Sequence, residues 1–384
     1  MSMDGRQRRQ VRLFWPASLG IMLAYAAYCC LNVVASDPQL FGVFELSKVF
    51  RGIIVVITIA FYVQSERELR MLLYALCAAV AYETFLSLEQ RYLFHGYRIA
   101  GSFDHPNTLS MFCCIVMPLL VAGALSQLPL WPRLVFGACA LLSTACTIMT
   151  VSRMGFATLA FVALLAVLAC AEFRLNSTNV ALIAVMALAM TGMSFKAWDT
   201  LAGRYTERTL DEEGEEGRGI YFKMAALIAR DHFLGIGLNN WSYWVTNEYA
   251  SEIGLVYRPY IGTDEVPDQT IPPDSKTNGA QAAPAHNLPV LTLGELGWPG
   301  LVLFVFVWMR WLSLGAVFLV RRSPALVSRF CAGAFLAVLA VLLQSMTEWA
   351  YRQTSIFFLC NIIIGALAAV YVHRSYIVNG GQAQ

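Results

Sequence analysis

The sequence is built mostly from apolar segments about 20 residues long, separated by short polar stretches. The hydrocarbon core of a bilayer is about 30 Å thick, so a helix needs about 20 apolar residues to cross it. Segments of about this length lie at roughly 13–35, 42–64, 70–92, 107–126, 133–151, 154–172, 178–197, 288–309, 325–347 and 353–373. Only 14% of the residues are charged, against about 25% in a soluble domain. The sequence therefore predicts an all-α polytopic membrane protein with about ten transmembrane helices.

A single long polar stretch divides these segments into two groups. Residues 1–196 are predicted to hold about seven N-terminal transmembrane helices, and residues 288–384 about three C-terminal ones. Residues 197–287 form a large loop between them. In this loop, residues 211–217 are predicted to be a charged linker that contains glycine. A short helix is predicted to follow, because Ile220, Met224, Leu227 and Ile228 recur at helical spacing before Gly235.

The distribution of arginine predicts the orientation in the membrane. Cytoplasmic loops carry an excess of Lys and Arg. A cytoplasmic N-terminus places the following residues on the same side: Arg67, Arg70, Arg133, Arg174, Arg321, Arg322, Arg329 and Arg374. Both termini are then cytoplasmic. The periplasmic side holds the long loop, residues 93–106, the Ser152-Arg153 corner and the Glu348–Arg352 turn.

Charge and cysteine content narrow the classes of partner. The net charge of +2 is too small to indicate a nucleic-acid partner. All ten cysteines lie in apolar segments, and neither a CxxC motif nor a Cys/His metal spacing is present. The cysteines are therefore predicted to be buried packing residues. No metal or other cofactor is predicted.

Arg153 is the only charged residue between Leu134 and Ala171. An arginine within a membrane helix costs about 2.5–3.5 kcal/mol on insertion scales, so such residues usually face a cavity or a partner. Ser152 and Gly155 on either side predict a tight corner between two helices near the outer face of the membrane. The structural alternative is an interfacial arginine that reaches the lipid headgroups.

Two further arginines lie on the same predicted side. Arg218 is predicted to open the loop helix between two glycines, where backbone can approach an anion closely. The alternative is an exposed arginine that neutralises the acidic linker. Arg98 lies in the short segment 97–103. Guanidinium groups match phosphate oxygens in geometry, so convergence of Arg98, Arg153 and Arg218 would suit a diphosphate.

His286 lies where the long loop is predicted to re-enter the membrane. A histidine can accept a proton from a hydroxyl group near neutral pH. The alternative is an interfacial histidine that caps a helix. Asn107 is predicted to be the N-cap of the fourth span. Trp241, Tyr243, Trp244 and Tyr249 are predicted to lie in an aromatic belt at the membrane interface, or else to stack on sugar rings.

Several short motifs stand together in a recognisable order. They are the run Arg98–Phe103 with Pro106-Asn107, the Ser152-Arg153 corner, Arg218-Gly219, Gly235-Ile236-Gly237, and His286-Asn287 leading to Gly294-Glu295-Leu296-Gly297. In their order, their spacing and the side of the membrane on which they are predicted to lie, these motifs resemble those of the O-antigen ligase and polymerase superfamily of bacterial envelope glycan enzymes. The resemblance covers about residues 90–310. Many members of that family have about twelve spans, whereas about ten are predicted here.

The resemblance implies a metal-independent glycosyltransferase with a GT-C-like helical fold in the bacterial inner membrane, surrounded by membrane lipids. Such enzymes transfer a preassembled glycan from undecaprenyl diphosphate at the periplasmic face. It further implies that Arg153 and Arg218 hold the diphosphate, that His286 is the general base, and that Arg98 contributes to donor binding.

The identity of the acceptor remains open between related activities. In a ligase the acceptor is a sugar of lipid A-core, whereas in an O-antigen or exopolysaccharide polymerase it is a second lipid-linked repeat unit. A transporter of lipid-linked glycan is the alternative from a different class. That alternative predicts broken, charged helices at mid-membrane in both halves, whereas polarity here is concentrated in one external loop. A purely structural scaffold would not explain the charged corner at Arg153.

Overall fold

The computed structural model describes residues 15–170, 180, 184, 188, 213–253, 282–320 and 323–379. Within these ranges the chain is helical. The helices are α1 (Leu19–Ala35), α2 (Gln39–Tyr62), α3 (Glu66–Tyr92), α4 (Pro106–Ala124), α5 (Leu130–Met149), α6 (Arg153–Cys170), α7 (Glu213–Asp231), α8 (Leu288–Val320), α9 (Leu326–Ser345) and α10 (Thr354–Asn379). A helical turn at Trp241–Trp244 continues as a π-helical turn at Val245–Tyr249, and 3-10 turns lie at Ser251–Ile253 and Ala350–Arg352. The prediction of an all-α membrane fold is confirmed.

Seven of the described helices are long and apolar enough to cross a membrane: α3 to α6 and α8 to α10. The apolar helix α1 is shorter, at 17 residues. Helix α2 has 24 residues but carries Glu45, Lys48 and Arg51 in its sequence. The predicted span 178–197 lies outside the described residues except for three isolated positions. The helices therefore match nine of the predicted segments within a few residues, except that α8 continues to Val320.

Helix α4 lies at the centre of the main bundle. Every residue from Thr108 to Ala124 is buried, and α4 packs against α5, α6 and α9. A helix that is apolar on all sides is stable only when other helices surround it. All ten cysteines are free thiols, and all except Cys30 are buried, as the sequence predicted. The bundle thus holds the N-terminal end of α4 in a fixed position.

Helix α7 begins earlier than the sequence indicated. The predicted linker 211–217 is helical from Glu213 onward, so Arg218 lies in the second turn of the helix and does not open it. Acidic residues in a first turn are favourable because they face the positive end of the helix dipole. The sequence of α7 places Glu213, Glu215 and Glu216 there, which explains why the acidic run is helical.

Two of the aromatic residues after α7 lie in a second core and not in a membrane belt. Trp241 and Tyr249 are 1% and 5% exposed. They pack with residues of α7 and of the first part of α8, and the Trp241 ring lies 6.4 Å from that of Tyr221. The predicted interfacial position is therefore wrong for these two residues, because the side chains fill the space between α7 and α8.

Helix α8 is interrupted at Gly297, where φ is +65° and ψ is −168°. The segment around Gly235 lies directly against this break. The Ile236 N–H donates to Gly294 O (3.1 Å), and the Trp298 N–H donates to Phe233 O (3.1 Å). Since the two backbones touch, a side chain at either glycine would collide with the opposite chain. The two glycine motifs of the sequence are thus the two sides of one contact.

Replacement of Gly235 with alanine is expected to lower the thermal midpoint of unfolding. Its φ is +82°, and an added Cβ would meet Glu295 O and Gly297 N. Backbone strain of this kind costs about 1–3 kcal/mol, before the collision is counted. The measurement is thermal unfolding in detergent, with Gly219→Ala as the control. Nothing lies within 4 Å of a Cβ at Gly219, so a loss of the same size there would contradict this explanation.

Candidate functional site

His286 is bound to a carboxylate that lies 62 residues later in the sequence. Its Nδ1 lies 2.7 Å from Oε2 of Glu348, which belongs to the turn between α9 and α10. The side chain of His286 is 40% exposed and that of Glu348 is 16% exposed. An ionised carboxylate can only accept a hydrogen bond, so a neutral imidazole bound to it through Nδ1 has its proton on Nδ1 and a lone pair on Nε2. The pair therefore presents an oriented base.

Asn107 connects this pair to Arg98. The Asn107 Nδ2 donates to Oε1 of Glu348 (2.9 Å), and Nη2 of Arg98 donates to Oδ1 of Asn107 (3.0 Å). The predicted N-cap role of Asn107 is wrong. His105 caps α4 instead, because its Nδ1 accepts the Asn107 N–H, which leaves the amide of Asn107 free to bridge. Arg98, Asn107, Glu348 and His286 form one chain, here named the site chain.

The segment after Arg98 is fixed by polar side chains of α3. The Oε1 of Gln90 accepts the N–H groups of Ala100 and Gly101, at 3.2 and 3.0 Å. An oxygen of Glu83 accepts the Ser102 N–H at 2.9 Å. Because these bonds satisfy the backbone of the segment, the segment is held in one conformation against α3. The position of Arg98 follows from that conformation.

The α5–α6 corner predicted at Ser152-Arg153 is present. Helix α5 ends at Met149 and α6 begins at Arg153, and between them Val151 has a φ of +53°. A β-branched residue at this φ is strained, and such strain is found most often at functional sites. The Nε of Arg98 donates to Thr150 O at 3.4 Å. The corner that carries Arg153 therefore touches the site chain through Arg98.

Helix α7 approaches the site from the side of His286. The ring of Tyr221 lies 5.9 Å from the ring of His286. Arg218 lies three residues earlier in α7, which is about one helical turn. The backbone of Arg218 is thus about one helical turn from Tyr221, the residue that contacts His286. The side chain of Arg218 lies outside the described structure.

A second histidine beside the site is held in the neutral form. Burial lowers the pKa of His105, and the positive charge of Arg98 lowers it further. Around neutral pH, His105 is therefore an uncharged cap of α4. The positive charge of the site chain comes from Arg98.

Glu348 is the residue that the sequence analysis missed. It had been noted only as part of a turn, because no motif singles it out. A usable signal was nevertheless present, since Glu348 is the only acidic residue after Glu295. A lone carboxylate in such an apolar stretch has a high cost unless it has a partner.

Replacement of Glu348 with glutamine is expected to lower any reaction in which His286 accepts a proton, on the order of 100-fold or more. The amide of glutamine can donate to Nδ1, which favours the tautomer with the proton on Nε2, and a wrong tautomer is costly in comparable histidine sites. The measurement is the turnover rate, kcat, with unfolding as the control for stability. Wild-type turnover in this variant would contradict the role of Glu348.

A cavity of about 50 Å³ lies elsewhere, among α1, α2, α8 and α10. Its walls are mostly aromatic and apolar, with Trp308, Trp311, Tyr351 and Phe357 among them, and they extend to Arg352. Neither His286 nor Glu348 is among the residues that line it. The candidate site is therefore the half-exposed surface at His286 and not this cavity.

Comparison with known proteins adds one finding. Residues 138–305 match the family model described as O-antigen ligase, a range that contains Arg153, Arg218 and His286. A search of curated proteins found no match. This match confirms, over residues 138–305, the resemblance to the O-antigen ligase and polymerase superfamily that the motifs indicated.

Proposed function

We propose that this protein is an O-antigen ligase that transfers a preassembled glycan from undecaprenyl diphosphate to a hydroxyl group of lipid A-core. The observation that carries the proposal is the pairing of His286 with Glu348 at a half-exposed position, which Asn107 and Arg98 connect to the corner before Arg153. The match to the O-antigen ligase family supports glycan transfer in general. Ligation to lipid A-core in particular is part of the proposal.

In the proposed reaction the acceptor hydroxyl attacks the anomeric carbon of the donor sugar. The bond from that carbon to the phosphate oxygen breaks, and a glycosidic bond forms. Nε2 of His286 takes the proton of the acceptor, and undecaprenyl diphosphate leaves as an anion. General-base assistance of this kind contributes typically 10²–10⁴-fold. The carboxylate of Glu348 stabilises the imidazolium group that forms.

Arg153 and Arg218 are proposed to bind the diphosphate and to stabilise the charge that develops when it leaves. Arg98 is proposed to contribute to donor binding from the site chain. Two guanidinium groups can match both phosphates in geometry. With this charge supplied, a diphosphate leaves readily, and the protein's main task is to orient two substrates that are both anchored in the membrane. Transfer is expected to continue in the presence of a chelator of divalent metals.

The proposed location is the bacterial inner membrane, with both termini in the cytoplasm and the site at the periplasmic face. The large loop of residues 197–287 would then lie in the periplasm, where α7 brings Tyr221 to His286. This arrangement rests on the excess of arginine in the opposite loops. Labelling of single cysteines from the periplasm, introduced at exposed His95 and at exposed Arg67, tests it. Labelling at residue 95 alone is expected, and labelling at residue 67 alone would contradict the orientation.

The ligase and polymerase activities are separated by one experiment. Purified protein receives lipid-linked glycan with lipid A-core, or lipid-linked glycan alone. The ligase proposal predicts product only with lipid A-core. A ladder of longer lipid-linked chains without lipid A-core would instead show polymerisation. Movement of unchanged lipid-linked glycan across a vesicle membrane, with neither product, would indicate a transporter.

A further inference from the structure

Four buried charged side chains meet beside the candidate site. The Nε of Arg352 lies 2.8 Å from Oε1 of Glu45, and its Nη1 lies 2.8 Å from Oε2 of Glu295. The Nζ of Lys48 lies 2.7 Å from Oε2 of Glu45. The side chains are between 2% and 11% exposed. This group, here named the Arg352 quartet, has two acids and two bases, so its formal charges cancel.

The quartet fixes the backbone at Arg352 as well as the side chain. The Nζ of Lys48 donates to the carbonyl oxygen of Arg352 at 2.7 Å. Removal of one member of a buried ion pair is strongly destabilising because it leaves the other charge uncompensated. The end of the 3-10 turn Ala350–Arg352 is therefore held at one place against α2 and α8.

Short-range hydrogen bonds carry this constraint back to Glu348. The Arg352 N–H donates to Trp349 O at 2.9 Å, and the Glu348 N–H donates to Gln344 O at 3.0 Å. The five residues from Glu348 to Arg352 thus form a continuous turn with bonded ends. A shift of Arg352 would move the carboxylate of Glu348.

The same two elements are joined at a second place. Glu295 lies nine residues after His286, in the part of α8 that precedes the break at Gly297. The helix begins at Leu288, and its rise from there to Glu295 is about 10 Å. His286, just before the helix, is joined to the turn by Glu348, and Glu295 is joined to it by Arg352. Two contacts at this separation prevent the turn from pivoting on α8.

We propose that Arg352 is a positioning residue whose ion pair with Glu295 holds Glu348 against Nδ1 of His286. This inference rests on the proposed function, because the position matters when His286 acts as the base. Glu45 binds the same guanidinium group from α2, which carries no part of the site chain. Loss of Glu45 therefore removes a buried negative charge beside the same guanidinium group, but the contact of Arg352 with Glu295 in α8 remains.

A double-mutant cycle tests the inference in glycan transfer. Glu295→Gln is expected to lower kcat on the order of 10- to 100-fold, as small misplacements of catalytic groups do, with KM for the lipid-linked glycan unchanged. In a Glu348→Gln background, Glu295→Gln should cause almost no further loss, because the contact that it positions is already gone. A purely structural role predicts that the two losses multiply, since independent effects add in free energy. Losses that multiply would overturn the inference.

A second readout does not depend on glycan transfer. Diethyl pyrocarbonate modifies the free imidazole nitrogen, and peptide mass spectrometry gives the rate at His286, which is 40% exposed on its side chain. Glu348→Gln and Glu295→Gln are both expected to slow this modification, whereas the matched control Glu45→Gln should slow it much less, because the contact of Arg352 with Glu295 in α8 is kept. Equal slowing in Glu45→Gln would overturn the inference. If wild-type protein transfers no glycan, the proposed function fails, and the modification rates still decide whether Glu295 and Arg352 position Glu348.

Discussion

Replacement of His286 with alanine is expected to reduce glycan transfer at least about 100-fold, the low end of the range for loss of a general base. The reason is the arrangement of the ring, whose Nδ1 is bound to Glu348 at 2.7 Å while Nε2 is left to accept the proton of the acceptor. Binding of the lipid-linked donor should change little, because the proton is transferred only as the reaction proceeds. The measurement is the single-turnover rate with saturating donor.

The control for this variant is His95→Asn. His95 is exposed and has a φ of +53°, a conformation that asparagine tolerates well. Its transfer rate should equal that of wild-type protein. A His286→Ala protein that retains the wild-type rate would show that another group accepts the proton, and the assignment of the base would then be wrong.

Replacement of Arg153 with alanine is expected to lower kcat about 10²–10³-fold, the loss seen when one group that stabilises developing charge is removed. Arg153 begins α6 two residues after the strained Val151, and Arg98 contacts the carbonyl of Thr150 in the same corner. Arg153→Lys should recover part of the activity, because lysine keeps the charge but lacks the forked geometry. The measurements are kcat and the affinity of the protein for the product undecaprenyl diphosphate.

Arg67→Ala is the matched control for this loss of charge. Arg67 is exposed and lies in the first turn of α3, at the opposite end of that helix from the residues that hold the Arg98 segment. Its removal should not affect transfer. Product affinity that is unchanged in Arg153→Ala would contradict a role of Arg153 in diphosphate binding.

The membrane helices could be predicted because the thickness of the bilayer sets their length and its apolar core sets their composition. Helix α4 was predicted at 107–126 and lies at Pro106–Ala124, since its apolar run alone determines it. The acidic start of α7 was mistaken for a linker because composition suggested flexibility, whereas the helix dipole favours acids at that end. Side-chain burial at Trp241 was also missed, because an aromatic residue that fills a helix interface has the same local sequence as one in a membrane belt.

The candidate site was predictable in part. Arg98 and His286 were identified as separate candidates, and their connection through Asn107 and Glu348 could not be, because these residues are distant in the sequence. The prediction that Asn107 is the N-cap of α4 was wrong for a local reason. The cap is supplied by the preceding histidine, and a sequence pattern does not distinguish the two positions. The ion pair of Glu295 with Arg352 likewise depends on the fold.

The most direct test of the account measures undecaprenyl diphosphate and glycan product together in purified, reconstituted protein. Lipid-linked glycan and lipid A-core are supplied, and both products are counted for wild-type protein and for His286→Ala. If the proposed function is right, wild-type protein releases one undecaprenyl diphosphate for each glycan joined to lipid A-core, and His286→Ala releases almost none. Release at the same rate by both proteins, or transport of intact lipid-linked glycan without release, would contradict it.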